Sequence, residues 1–468
     1  MKINKIKLLT LNFSLFTVLL GGCATTRTAQ EPAGYDPRAY FHYSAGALKE
    51  HGGLVDDAIR EYETALVYTP REPVIHRHLA VLYQKKGMRK EALNEFTKLI
   101  KLEPENPELH FLLGGFYEDG KDLRKALSEY KRATEFNPAY TEAFFAAGVI
   151  HSNLGMWKEA VKDYENVIRL EPDSPYSYYN TAYCYSRLKN IGQAILFYEK
   201  AAEAEPHWPS PYFNLALLHD SMGDTQNTIS SWEKFIAIVP SEPDPYLELG
   251  YLYFRMGEYG KAIPNLTKTV ELGKDGGNKL LATAHLLLGI AYTNTDNSSE
   301  AERSYAKLLE IDPKNEIARY NLAALYDKAS RFEDAEREFK VLINANPKYA
   351  DAYNYLGYLY AEKSINLDEA VRLIKKALSI EPNNGYFIDS LGWAYFKKGF
   401  YKEALKELER AARLTATDPV IYEHLGDAYS VTGNQGGAIS SWQRSLELNP
   451  SNENVKKKID EARKNLTN

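Results

Sequence analysis

Ten histidines, two cysteines and 63 acidic residues are the groups in this 468-residue chain that could do chemistry, and their spacing argues against most of it. His76 and His78 are two residues apart, so on a helix they point about 200° away from one another and cannot share a metal ion. No GxxxxGK[ST], HExxH or GxSxG segment occurs, and no GxGxxG follows a strand pattern. Carboxylates such as Glu369 and Glu403 belong to the charge pattern of helix surfaces and have no facing partner carboxylate. Cys184 reads as a small buried hydrophobe rather than a nucleophile. The expectation is a chain with no catalytic residue, no metal and no cofactor. A net charge of −6 with both signs dispersed also gives nucleic acid nothing to bind.

The other cysteine has a context that assigns it a chemistry. A basic segment, MKINKIK, precedes thirteen mostly apolar residues, LLTLNFSLFTVLL, ending at Leu20. That run is short of the roughly 20 residues needed to cross a bilayer and has the proportions of a signal peptide, residues 1–22. Leu20-Gly21-Gly22-Cys23 resembles a bacterial lipobox. The resemblance implies cleavage before Cys23, a diacylglycerol thioether on its sulfur, and further acylation of palmitate type. Ala24 stands where an aspartate would retain such a lipoprotein at the inner membrane, so the resemblance implies the outer membrane, facing the periplasm. Residues 23–38 then read as a lipidated cysteine on a small, polar tether with a reach of about 20 Å.

The rest of the chain is periodic. Pro70, Pro104, Pro138, Pro172, Pro206 and Pro240 follow one another every 34 residues, and Pro313, Pro347, Pro382 and Pro450 continue the series with one insertion of five and one of a single residue. Twelve units start at residues 39, 73, 107, 141, 175, 209, 243, 282, 316, 350, 385 and 419, and positions below are counted from these starts. Each unit holds two apolar stripes at helical spacing, separated by a polar turn. Position 8 is Gly or Ala throughout, from Gly46 to Gly426, and position 20 is Ala in all but one unit, with Thr228 the exception. Small residues there let paired helices cross closely. Position 15 is Gly in seven units, where a left-handed residue can end the first helix.

This pattern resembles the tetratricopeptide repeat from residue 39 to about residue 450. The resemblance implies an all-α solenoid, a right-handed superhelix of about twelve helix pairs with a concave groove: repeats 1–7 over 39–272 and repeats 8–12 over 282–450. Between them, 273–281 is an irregular insertion, read as a tolerated loop or a hinge. Residues 451–468 carry a narrow apolar stripe on a charged helix and read as its cap.

Tyrosine is over-represented, 35 residues in all, and nineteen fall at positions 4, 11 and 24, where a ring fills space between helices. Histidines at position 4 (His42, His76, His110, His285) and position 11 (His151, His219) read as packing substitutes for those rings. By the 100° step, positions 2, 5, 9 and 12 line the groove, and through the middle of the array they read Tyr176, Tyr179, Tyr183, Phe213, Leu217, Leu247, Tyr251, Phe254, Leu286, Ile290 and Tyr320. Bases at positions 5 and 9, which some repeats of this kind use to clamp a terminal carboxylate, are missing except for Arg77; Asp389, Glu423 and Asp427 make the C-terminal end acidic. The groove is expected to take apolar segments, and basic ones at that end.

The function expected is a non-enzymatic scaffold that recruits or positions other proteins. The stretches DSLGWAYFKKG and DPVIYEHLGDAY resemble the C-terminal part of adaptor lipoproteins of periplasmic C-terminal-processing proteases. The alternative is a subunit of an envelope assembly such as a pilus-secretin pilotin or a polysaccharide-export scaffold, and the weaker alternative is glycan or peptidoglycan binding through the aromatic residues.

Overall fold

The computed structural model describes residues 36–275 and 277–467; the signal peptide, Cys23 and the tether before residue 36 lie outside the described residues. Among these, 25 α-helices and one short 3-10 turn carry the structure, with no strand. The helices form two compact units divided between Ile238 and Val239. The first holds α1 (Pro37–His51) to α12 (Thr225–Ile238), and the second holds α13 (Pro243–Arg255) to α25 (Glu453–Thr467). Consecutive helices pair, so each repeat is a helix hairpin, and the fold is an all-α solenoid of such pairs.

Local chemistry sets the ends of the helices. Proline at the first helical position starts α3 (Pro73–Lys85), α5 (Pro107–Asp119), α9 (Pro175–Arg187) and α11 (Pro209–Ser221), where its missing donor and fixed φ cost nothing. Every first helix ends on a left-handed residue at position 15. In seven repeats it is glycine, with φ of 72–85°; in the others Lys121, Lys189, Asp296, Ser330 and Ser364 adopt the same conformation with φ of 53–60°. The following amide then reaches back five residues, as Met88 N does to the Tyr83 carbonyl at 2.8 Å. The inserted residue of repeat ten, Asn366, is left-handed as well, with φ 45°.

Position 8 meets position 24 across the hairpin. A Cβ added to Gly114 would lie 2.5 Å from the Tyr130 ring, and one added to Gly426 would lie 2.4 Å from Trp442. At these positions the small residue makes room for a large ring on the second helix, whereas at Gly250, Gly357 and Gly392 the facing residue is Leu266, Ile374 or Leu408 and second-helix backbone also comes within 2.9–3.3 Å of the added Cβ. Position 20 alanines, among them Ala58, Ala126, Ala262 and Ala404, are wholly buried.

Three expectations change. The tether stops short of residue 38, because α1 begins at Pro37 with Asp36 accepting from the Arg38 amide as its N-cap. The stretch 273–281 is mostly ordered as helix: Gly273–Asp275 forms a 3-10 turn, Gly277 turns the chain with φ 88°, and α15 (Asn278–Asn294) starts four residues early. Leu280 occupies the space a Gly273 side chain would need, so the insertion packs back on α14 (Tyr259–Leu272). Pro264 sits inside α14, exposed, and does not end it. Finally, position 11 tyrosines bridge repeats rather than the two helices of one hairpin. Tyr83 donates to Glu63 at 2.5 Å, Tyr326 to Glu302 at 3.1 Å and Tyr429 to Glu409 at 2.7 Å, each glutamate belonging to the second helix of the preceding repeat.

Candidate partner-binding surface

The histidines behave as framework. His76 and His110, both buried at position 4, each place Nδ1 on a glutamate of their own second helix (Glu95 at 2.5 Å, Glu129 at 2.6 Å). Their Nε2 atoms reach the carbonyls of Pro70 and Pro104 at 3.0 and 2.9 Å. Tyr178 makes the same proline contact with its hydroxyl at 2.6 Å, and Arg319 with its guanidinium at 3.0 Å. Position 4 therefore ties a first helix to the end of the preceding repeat, whatever polar tip it carries. Burial raises the Cys184 thiol to about 11, which leaves it protonated and unreactive at neutral pH. Among the described residues no group of three or more His, Cys, Asp or Glu could hold a metal, and no helix is long and apolar enough to cross a membrane.

Five of the expected groove residues fall in the first unit. Tyr176 and Leu217 are exposed, at 46% and 37%, while Tyr179 and Tyr183 are buried and Phe213 is half-buried. Tyr179 is covered by Trp208, whose ring centroid lies 4.7 Å away, and its hydroxyl accepts from Asn214 at 3.2 Å. Tyr183 packs edge-on against Trp157, and Phe213 against Trp232 and Phe235. Six fall in the second unit. Tyr251 is exposed at 44%, whereas Leu247, Phe254, Leu286, Ile290 and Tyr320 are half-buried on core clusters. Tyr320 lies 5.9 Å from both Tyr349 and Tyr355, and burial raises its hydroxyl to about 12.

A rule accounts for these differences. Position 34, in the loop that leads to the next repeat, carries Tyr140, Trp208 and Tyr349, and each lies over the position 5 ring of its own repeat: Phe111 at 5.1 Å, Tyr179 at 4.7 Å and Tyr320 at 5.9 Å. Position 5 is therefore a packing site in these repeats. From the second repeat on, the exposed large apolar residues of the first helices stand at positions 2 and 9, with Val431 at position 13, and position 2 also contributes Val74, Ile317, Tyr386 and Val420.

The acidic end is not open to a basic segment as expected. Asp389 is buried, with both carboxylate oxygens 3.1 Å from His424 Nδ1. Burial opposes the His424 charge, but the Asp389 charge and hydrogen bond outweigh it and raise the imidazole above its ordinary value. Trp393 stacks on His424 at 4.0 Å and donates its indole N–H to Glu362. Lys458 of α25 holds Glu423 and Asp427, each at 2.8 Å. These carboxylates are neutralised from within the second unit.

With this geometry in hand, the likeness to known proteins is consistent. Sequence profiles of the tetratricopeptide repeat match residues 78–141, 142–174, 163–195, 243–314, 296–357 and 392–433, and a profile for anaphase-promoting complex subunit 5 matches 198–246. The chain is built of tetratricopeptide repeats, and proteins with such repeats bind other proteins. TPR repeat-containing protein PA4667 of Pseudomonas aeruginosa is 27% identical over 143 residues, covering 31% of this chain and 24% of that protein. Type IV pilus assembly protein PilF of the same organism is 24% identical over 159 residues, covering 33% of this chain and 62% of that protein. The matches span less than a quarter of the first curated relatives. A tetratricopeptide repeat protein of Parabacteroides merdae shares 18% identity with a TM-score of 0.44, over 54% of this chain and 98% of that structure.

Proposed function

We propose that this chain is a non-enzymatic scaffold, anchored at the outer membrane through a lipidated Cys23 and facing the periplasm, that recruits or positions partner proteins on its first-helix faces, a C-terminal-processing protease among them. The observation that carries the reading is selective exposure. Of the eleven apolar residues on those faces eight are buried or half-buried in the stack, yet Tyr176, Leu217 and Tyr251 remain exposed, at 37–46%. Aromatic residues held on a rigid frame are the usual anchors of protein interfaces. The second reading, a subunit of an envelope assembly, is supported by the likeness to the pilus assembly protein.

The test is crosslinking and purification of the full chain from membranes, with wild type beside a Tyr176→Ser, Leu217→Ser, Tyr251→Ser variant. A soluble periplasmic protein recovered with wild type and lost with the variant at unchanged helix content supports the scaffold. Equal recovery of the same protein with both places the interface elsewhere. Cys23→Ser should abolish palmitate labelling and release the chain from membranes; labelling that persists overturns the anchor.

A further inference from the structure

The first helix of repeat one breaks a rule that the other eleven obey. Position 3 is buried in every repeat from the second on, as Ile75, Leu109, Phe387 and Ile421 illustrate at 0–3% exposure, and position 10 is buried, as Leu82, Phe116 and Leu359, in all of them but the sixth, where Leu218 is half-buried. In repeat one these positions are Phe41 and Leu48, 67% and 74% exposed. What covers that face elsewhere is the second helix of the preceding repeat: Ala58, Ile59, Tyr62 and Ala65 of α2 (Val55–Tyr68) share one cluster with Ile75, Leu79 and Leu82 of α3. Among the described residues α1 has no such helix before it. In sequence, ATTRTAQEPAGY, the segment that the proposed cleavage leaves between Cys23 and Asp36, shows no apolar helical period.

The other end shows how a repeat edge is closed. Helix α25 lays Val455, Ile459 and Ala462 on repeat twelve and leaves a charged back to solvent, as a terminal cap does. Phe41 and Leu48 are the opposite of such a back. They continue the apolar stacking interface of the repeats to a surface where it stops.

We propose that this edge pairs with a second copy of the chain, α1 packing antiparallel on α1 about a two-fold axis. Phe41, Ser44, Ala45 and Leu48 lie at i, i+3, i+4 and i+7, giving one stripe in the order large, small, small, large. A two-fold places each Phe41 on the partner's Leu48 and sets the small pairs against each other at the crossing, where helix axes come closest. The flanking ions are already neutralised, Arg38 by Asp36 at 2.8 Å and Lys49 by Glu61 at 2.6 Å, so closing the interface strands no charge. A helix of 15 residues is about 22 Å long and buries less than the roughly 800 Å² per partner of a stable dimer, so the pairing is reversible.

The experiment uses the full chain carrying Cys23→Ser, which leaves buried Cys184 as its other cysteine. Ser44→Cys in that background should form a disulfide-linked dimer on mild oxidation, and Ser221→Cys on an exposed site should not. Phe41→Asp or Leu48→Asp should lower crosslinking about tenfold with helix content unchanged, because neither side chain is part of the folded core. Sedimentation should show the chain without the added cysteine moving from monomer towards dimer as concentration rises, and Phe41→Asp remaining monomeric. Crosslinking that survives Phe41→Asp overturns the proposal. So does a chain monomeric at all concentrations whose Phe41→Asp form instead loses binding to phospholipid vesicles, an outcome that assigns the edge to a bilayer.

Discussion

Both units lock successive first helices together with the same reach, from position 5 of one to a side chain 35 residues on, but with different chemistry. In the first unit the lock of this reach is neutral, Asn214 donating to the Tyr179 hydroxyl at 3.2 Å, beside a shorter ionic link from Arg77 at position 5 to Glu108, 31 residues on, at 2.9 Å. In the second unit it is ionic twice over: Asp389 with His424 at 3.1 Å, and Glu423 with Lys458 at 2.8 Å. The contrast teaches that one spacing, from position 5 to a side chain 35 residues on, can be bridged by either kind of pair and leaves the identity of the pair free, while Asn354 at the same position buries its Oδ1 with no hydrogen-bond partner. A neutral pair makes stability indifferent to pH, whereas a buried ion pair makes it depend on proton uptake.

The largest effect should come from breaking the buried ion pair on one side. Asp389→Ala leaves His424 buried without its counter-charge and should destabilise the second unit by about 3–5 kcal/mol, read as a lower urea midpoint with faster hydrogen exchange in α23 (Pro419–Val431). Equal exchange in wild type and variant would show that the pair does not hold repeats eleven and twelve together. Next is overpacking at the hairpin. Gly426→Ala puts a methyl against Trp442 and should cost about 1–3 kcal/mol, and Gly114→Ala against Tyr130 should cost a similar amount in the first unit. Comparable losses in both units would mark position 8 as common framework, in contrast to the differing locks.

The neutral lock is weaker. Tyr179→Phe removes one hydrogen bond and should cost about 1 kcal/mol at any pH between 6 and 9. His424 differs in sign and window. Its folded pKa lies above the ordinary value of 6.5, so its contribution is fully present below about 6.5 and declines as pH rises through the folded value. Denaturation followed from pH 6 upward should show the second unit losing this increment, and a His424→Gln, Asp389→Asn pair of substitutions should flatten the loss. The smallest change is favourable: Lys121→Gly and Ser330→Gly, at left-handed positions in the first and second units, should each stabilise by about 0.5–1 kcal/mol, visible as a small rise in melting temperature.

The sequence carried the register of the repeats plainly because proline, position 8 and position 15 answer to local geometry. Position 15 is left-handed even where it holds Lys, Asp or Ser, so the period located the turns better than the residue type did. The candidate surface was less legible. A 100° step says which way Tyr179 and Tyr320 point, but not that Trp208 and Tyr349, from loops that lack any periodicity, come to lie over them. The same step put Asp389, Glu423 and Asp427 at groove positions, while their partners His424 and Lys458 lie two helices further on. Repetition itself held a usable signal for the covered rings: aromatic residues at positions 5 and 34 recur together in three repeats. The early start of α15 was hidden because Gly277 reads as a loop residue, whereas its positive φ starts a helix there.

The central claim is that the exposed first-helix residues, and not the buried ones, meet other proteins. Its most direct measurement is photocrosslinking in living cells from a reactive amino acid placed at Tyr176 or Tyr251, with Glu203 on an exposed second-helix site as control. The account predicts discrete protein adducts from residues 176 and 251 and none from residue 203. Adducts absent from both tyrosine positions, or equally abundant from the control, would contradict it.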